Sequence, residues 1–426
     1  MLRLGCAVLL AFSLTAPLRA EPIRAGAAKI DITPPIGAAM WGYAARRDAA
    51  SIGVDDPLHA RALVLEVGKQ KLAIVSLDLG RAPTRGSMAI LRKAVKQQTG
   101  IETLFLVASH THHGPVLELD DWPKGARPYV RELEEKLAKV LADADAALKP
   151  ARWGLVAVEV PFNRNRHTKG KDAPLDRECI VVKLEDDKGK TIAHLVNYAA
   201  HPTMTDAMTM KFSADYPGFL AAHVEKELGG ACLFLQGAGA DLSVNSQGKS
   251  GPKAFGEFFG GWVVDQCRKL ECNTTDMKPF QVREHDFTFG KRFDIGNPLI
   301  RTAYSIIFFK GIVDFFEREY REGIRPHLTT VLLDGKIGLV GVSGEFFCSH
   351  SLHLKKRAGL EHLMFFGCCN DYQQYFPTIE AVAAGGYGAD TTVSPVEIGA
   401  GERMMNQALI NLLEMRGKIR KSELQK

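Results

Sequence analysis

The chain has no H-E-x-x-H, so the helix-borne zinc site of the common metalloproteases is not supported. It has no C-x-x-C pair. It also lacks a G-x-S-x-G elbow: around Ser243, Asp241 and Asn245 occupy the two glycine positions, which argues against an α/β-hydrolase. The loop Gln236-Gly237-Ala238-Gly239-Ala240 lacks the third glycine of a dinucleotide fingerprint, and no helix pattern opens directly after it. Charge of one sign is also missing. Lys and Arg number 54 against 49 Asp and Glu, a formal balance of +5, so nothing calls for nucleic acid. The one dense basic stretch, 416–421, reads as a solvated tail. No apolar run reaches membrane-spanning length uninterrupted; the longest candidate, 299–316, is broken by Arg301, Lys310 and Asp314. Internal repeats and low-complexity linkers are absent.

What is present begins with a leader pattern. Arg3, an apolar stretch over 7–14 and Leu18-Arg19-Ala20 before Glu21 predict a signal peptide over 1–20 and export to the periplasm or beyond. The remainder, 21–426, is read as one large domain, with 46% apolar residues to fill its core. Seven of the eight cysteines lie beyond the leader, so at least one is unpaired, and several sit inside apolar runs as small core residues.

Apolar runs alternate with helical patterns. Strands are expected at 62–67, 72–77, 104–108, 180–184, 193–198, 231–235, 329–333, 337–342 and 363–366. Helices are expected at 88–98, 129–147, 217–228, 253–270, 299–320, 349–358 and 401–415. This alternation predicts an α/β fold, a mixed β-sheet core flanked by helices. The stripe Ile300, Tyr304, Ile307, Phe308, Ile312 and Phe315 reads first as a core helix, and alternatively as a hydrophobic lip for an acyl chain or a membrane surface.

Four of the apolar runs end in metal-binding residue types. The run 104–108 leads into Ser109-His110-Thr111-His112-His113-Gly114-Pro115. The run 193–198 leads to His201-Pro202, the run 337–342 to Glu345, and 363–366 to Asn370-Asp371-Tyr372-Gln373-Gln374-Tyr375. Two imidazoles, a carboxylate and a phenolate make a zinc shell with room for water or substrate. Cys368 and Cys369 are neighbours on the chain, so on an extended backbone at most one faces such a site.

Several ordered segments resemble the neutral ceramidases, zinc amidases that hydrolyse the N-acyl bond of ceramide. They are Lys29-Ile30-Asp31-Ile32-Thr33-Pro34-Pro35, Trp41-Gly42-Tyr43-Ala44, Asp56-Pro57-Leu58-His59-Ala60-Arg61-Ala62, the histidine run at 109–115 and Ala240-Asp241-Leu242-Ser243-Val244-Asn245. The resemblance implies the catalytic domain of that family without its immunoglobulin-like C-terminal domain. It implies one zinc per chain on His110, His201, Glu345 and Tyr375, the second tyrosine of the N-x-Y-x-x-Y run. It makes His112 a catalytic or substrate-contacting histidine, Arg164 of Asn163-Arg164-Asn165-Arg166 an active-site arginine, Tyr387 a second active-site tyrosine, and Ser243 a serine that some accounts make the nucleophile. The implied substrate is a lipid-like N-acyl amide, with peripheral membrane contact.

The chain departs from that pattern in three places: His113 replaces Ser, Val244 replaces Pro, and the segment between Glu345 and Tyr375 is shorter. Another amide or ester substrate for the same architecture is the first alternative. A non-catalytic, metal-stabilised lipid- or glycan-binding protein is the second; His112, Arg164, Ser243 and Tyr387 together argue against it.

Overall fold

The computed structural model describes residues 19–119, 121–122 and 127–420. Most of the expected leader falls outside these residues.

All nine expected strands form, and three longer ones join them. Glu21–Asp31 and Lys149–Glu159 enter the main sheet, and Gln281–Asp286 edges a second one. The first is rich in Ala and charge, with little strand propensity of its own, and the second sets Trp153, Val156 and Val158 among Ala, Gly and charged residues. They are strands because they pair: Glu21–Asp31 is antiparallel to His59–Val67 over nine residues.

The main sheet runs, in spatial order, through 231–236, 191–198, 178–186, 149–159, 21–31, 59–67, 70–77 and 103–108. It is mostly antiparallel, with a parallel pair at each edge. The second sheet orders 281–286, 327–333, 337–342 and 362–366, the last pair parallel. The two sheets pack face to face. Strand alternation shows how: Val331, Leu333, Leu339, Met364 and Phe366 pack against Leu63, Ile74 and Phe105 of the main sheet. Leu328, Leu332, Val340, Leu363 and Phe365 point to the other side, toward helices.

Helices cover both outer faces. Arg85–Thr99 and Tyr129–Ala146 lie on one half of the main sheet, Asp215–Leu228 and Gly251–Lys269 on the other. Cys348–Ala358 and Ala400–Met415 cover the second sheet. Strands buried on both faces read as continuous apolar runs, which is why they were legible in the sequence.

The single helix expected at 299–320 is instead two, Pro298–Ile307 and Lys310–Glu319. Phe308 and Phe309 between them are extended, so the stripe turns a corner. Tyr304, Ile312, Val313 and Phe316 remain in the core. No described helix is long and apolar enough to cross a membrane.

The main sheet bends until its edges meet, with Ala231–Gln236 touching Thr103–Ala108. The segment 367–374 is stitched across the gap. Gly367 N–H donates to Gln236 O at 3.0 Å, and Asn370 Nδ2 donates to Leu104 O at 2.7 Å while its Oδ1 accepts from Leu106 N–H at 2.9 Å. Four strand ends therefore open on one place.

Candidate metal centre and cleft

His110 follows strand Thr103–Ala108 and His201 follows Thr191–Tyr198. Glu345 begins a short strand that pairs in parallel register with Tyr375. At this convergence the three side-chain atoms His110 Nε2, His201 Nε2 and Glu345 Oε2 face one another. The two nitrogens are 3.2 Å apart, and they lie 3.2 Å and 3.0 Å from the carboxylate oxygen.

The far side of each ring decides what these contacts mean. His110 Nδ1 lies 2.7 Å from Gly80 O, and His201 Nδ1 lies 2.6 Å from Gly239 O. A carbonyl only accepts, so each Nδ1 carries the proton and each Nε2 presents a lone pair. With both rings neutral, three lone-pair atoms crowd together, and Glu345 Oε2 makes no hydrogen bond of acceptable geometry among the described residues; such a set suits a cation. A tetrahedral zinc with bonds near 2.0–2.1 Å separates its ligands by about 3.3 Å, close to the spacing here. The residues fit a zinc-type ion.

Protonation states point the same way. Burial works to raise the Glu345 carboxyl, but His110 and His201 outweigh it and hold it well below the ordinary range. Burial, then the Arg166 guanidinium, pushes His201 down to about 4. Burial resists charge on His110 too, yet Cys368 and Glu345 raise it overall, so a proton on its Nε2 and a cation would compete for the same position.

Tyr372 and Arg166 surround this trio. The Tyr372 hydroxyl donates to Glu345 Oε1 at 2.5 Å. Arg166 Nη2 donates to Ala240 O at 2.7 Å and Tyr375 Oη at 2.9 Å, and lies 2.8 Å from His201 Nε2. A bound metal replaces only the last of these.

His112 stands beside the trio, with its ring 5.1 Å from that of His110 and 5.6 Å from that of His201. The three histidines' ligand atoms all lie within 4.8 Å of one another. His112 is 7% exposed and neither ring nitrogen has a partner among the described residues. Burial, then His110 and His201, holds it well below 6.5, so it is neutral. Trp41 and Tyr43 wedge it edge-on at 5.4 Å and 4.9 Å. Gly42 between them, at φ +109°, would place a Cβ 2.5 Å from His112 Cβ, so only glycine fits. The backbone is strained where the site is built: His110, Cys368, Asn370 and Gln374 all have φ between 48° and 71°.

A cleft opens above these groups. His112, Glu345, Tyr372 and Tyr375 lie on it, and Val116, Ile307, Phe308, Phe309, Ile312 and Phe316 make an apolar wall. The 299–316 stripe thus fills core, as its first reading had it, and also lines the cleft.

Of the residues expected at the site, the fold brings together His110, His112, His201, Glu345, Tyr375 and Tyr387. Tyr387 is 59% exposed at the cleft and meets Tyr375 edge-on at 5.8 Å. Arg164 is not brought in. It is exposed and its Nε donates to Val244 O at 3.3 Å, whereas Arg166, where the strand Asn163–Asn165 has ended, turns inward. Ser243 lies beside His201 through a backbone bridge, and no base hydrogen-bonds its hydroxyl among the described residues. Cys368 touches the Nδ1 side of His110 at 3.4 Å, while Cys369 points into the inter-sheet core. All seven described cysteines are free and buried.

Trp41, Tyr43, Arg81, Arg166 and Tyr372 were given no role from the sequence. The Trp-Gly-Tyr triplet is the one local signal, a glycine where a backbone must approach something closely.

No protein-family model matches the chain. It is 27% identical over 292 residues to a neutral ceramidase of Pseudomonas aeruginosa, covering 61% of this chain and 42% of that protein. It is 23% identical over 249 residues to a neutral ceramidase of Mycobacterium tuberculosis, covering 50% and 39%. These alignments take in less than half the length of either relative. In fold it is similar to the crystal structure of the Pseudomonas aeruginosa neutral ceramidase, with a TM-score of 0.75 at 18% identity over 94% of this chain and 75% of that one. A ceramidase complexed with C2 gives the same TM-score and identity, over 94% and 76%. The chain carries a neutral-ceramidase-like domain.

Proposed function

We propose that this protein is an exported, zinc-dependent amidohydrolase that cleaves the N-acyl bond of ceramide or a related N-acyl lipid. The observation that carries the reading is the trio of lone-pair atoms on His110, His201 and Glu345, at the floor of an apolar cleft, beside a buried neutral His112 with both nitrogens unpartnered. The ceramidase relatives and the leader pattern support it.

His110, His201 and Glu345 would hold the ion, with Tyr375 as the fourth protein ligand. When bound, zinc supplies Lewis-acid polarisation of the scissile carbonyl and a water acidic enough to attack near neutral pH. The chain supplies the rest. Tyr372 orients Glu345 through its hydrogen bond. Arg166 keeps its charge, because Tyr375 and Glu345 outweigh the effect of burial, and so acts as a fixed donor beside the reacting carbonyl. Tyr387 offers a second hydroxyl at the same wall.

His112 is neutral at working pH, so its free nitrogen takes a proton as the attack proceeds and returns it to the leaving amine. The apolar wall holds the acyl chain and keeps bulk water out. Leu299 and Ile306, 82% and 71% exposed on Pro298–Ile307, extend apolar surface outward for a substrate drawn from a lipid phase.

Hydrolysis of N-acylsphingosine, compared with short acyl amides and esters, tests this reading. Turnover of the long-chain amide that disappears on chelation and returns with zinc is expected. Activity that survives complete metal removal would overturn it.

A further inference from the structure

Buried carboxylates normally satisfy both oxygens. Asp371 does so: Oδ1 accepts from Arg81 Nη2 at 2.9 Å and Oδ2 from Gln373 Nε2 at 2.7 Å. Glu118 does not. Its side chain is 1% exposed, Oε1 accepts from Arg81 Nη1 at 2.9 Å, and Oε2 has no partner among the described residues. Arg81 serves only one of these oxygens: its Nη2 turns to Asp371 Oδ1 and its Nε to Ala82 O at 3.0 Å. One guanidinium thus faces two carboxylates, leaving an excess negative charge.

Glu118 lines the same cleft as His112, Glu345 and Tyr375. Val116, Ile312 and Phe316 on that wall have no donor to offer it. A carboxylate oxygen buried without a hydrogen bond is unfavourable by more than a neutral group would be, and a donor entering the cleft would relieve it. The location is close to the chemistry. Arg81 lies over the Tyr372 ring at 5.4 Å, and Tyr372 donates to Glu345. Two side chains, Arg81 and Tyr372, thus link Glu118 to the metal trio.

We propose that Glu118 Oε2 accepts a hydrogen bond from a hydroxyl on the amine half of the substrate, making Glu118 a specificity-determining residue that selects N-acyl amides of hydroxylated amines. The inference rests on the amidohydrolase reading above and adds the polar requirement to it. A hydroxyl is favoured over an ammonium because the amine nitrogen of such a substrate is acylated and belongs at the scissile bond.

The test compares one acyl chain on three amines of matched length: a 2-amino-1,3-alkanediol and its 1-deoxy and 3-deoxy counterparts. The wild-type holoenzyme is expected to prefer the diol over one deoxy amide by about tenfold or more in kcat/KM, the size of a hydrogen bond to a charged acceptor. The deoxy compound that loses this preference identifies the hydroxyl. Glu118→Gln keeps an oxygen for Arg81 but turns the free position into a donor. It should lower the ratio, with zinc content retained, because a neutral amide nitrogen bonds that hydroxyl more weakly than a carboxylate does.

A wild-type ratio near one overturns the proposal whether or not the variant folds. So does a Glu118→Gln enzyme that keeps the wild-type ratio, or one that slows on all three amides equally, since neutralising Arg81 would then be the whole role of Glu118. Hydrolysis of none of the three overturns the amidohydrolase reading itself, and that outcome is distinct from equal hydrolysis of all.

Discussion

Tyr372→Phe removes one oxygen from the candidate centre and little else. The ring stays wedged, edge-on to Trp41 at 5.4 Å and beneath Arg81 at 5.4 Å. The hydroxyl that is lost donates to Glu345 Oε1 at 2.5 Å, and no other donor serves that oxygen. Two consequences follow. Glu345 loses a hydrogen bond of the charged kind, about 1.5–3 kcal/mol, and is freer to rotate. A carboxylate ligand that loses its orienting partner binds metal about 10–100-fold more weakly. Zinc titration against a competing chelator should show that weakening for Tyr372→Phe, and activity at saturating zinc should largely return. Thermal melts in chelator separate the metal effect from simple misfolding. Unchanged zinc affinity in a correctly folded Tyr372→Phe protein would refute the reasoning and leave Tyr372 a packing residue.

Three further outcomes are expected. His112→Ala should retain zinc by metal analysis and lose about 10²–10⁴-fold in kcat, the usual size of a general acid–base contribution; zinc lost as readily as from His110→Ala would make His112 a ligand instead. Ser243→Ala should slow turnover only modestly, with no acyl-serine trapped from a slow substrate in the wild type, because no base hydrogen-bonds its hydroxyl; an acyl group on Ser243 formed and released at the turnover rate would reverse the assignment. Stability should fall with acid between pH 6.5 and about 4 through His194, which burial pushes down to about 4 although the nearby Gly229 backbone works to raise it. The unfolded chain takes up a proton that the fold refuses, so the stabilisation present above pH 6.5 is lost as pH falls and levels off below 4, by about 3 kcal/mol. Chemical denaturation of His194→Leu against wild type over that range should show a shallower slope; an identical slope would remove His194 from the account.

The strand ends were legible because both of their signals are local. A strand buried on both faces writes a continuous apolar run, and the residue after it stands at the sheet's edge whatever the rest of the chain does. His110, His201 and Glu345 could be read that way, as could all nine of the expected strands. Glu21–Asp31 and Lys149–Glu159 could not, since their Ala, Gly and charged residues become strands only through the partners they meet. The corner at Phe308–Phe309 was hidden in the same way: the apolar period runs straight through it, while the backbone there is extended and both rings line the cleft. Arg164 and Arg166 are two apart and share a face on an extended strand, so no periodicity separates them; the end of the strand at Asn165 does. Which tyrosine donates to Glu345, how Trp41 and Tyr43 hold His112, and why Glu118 is left with a bare oxygen depend on strained loop residues and on two sheets closing face to face. Residue type and local pattern determined which groups were available for chemistry. Only the packing of the sheets decided which of their atoms meet, because those contacts join segments that are as many as 290 residues apart in the chain.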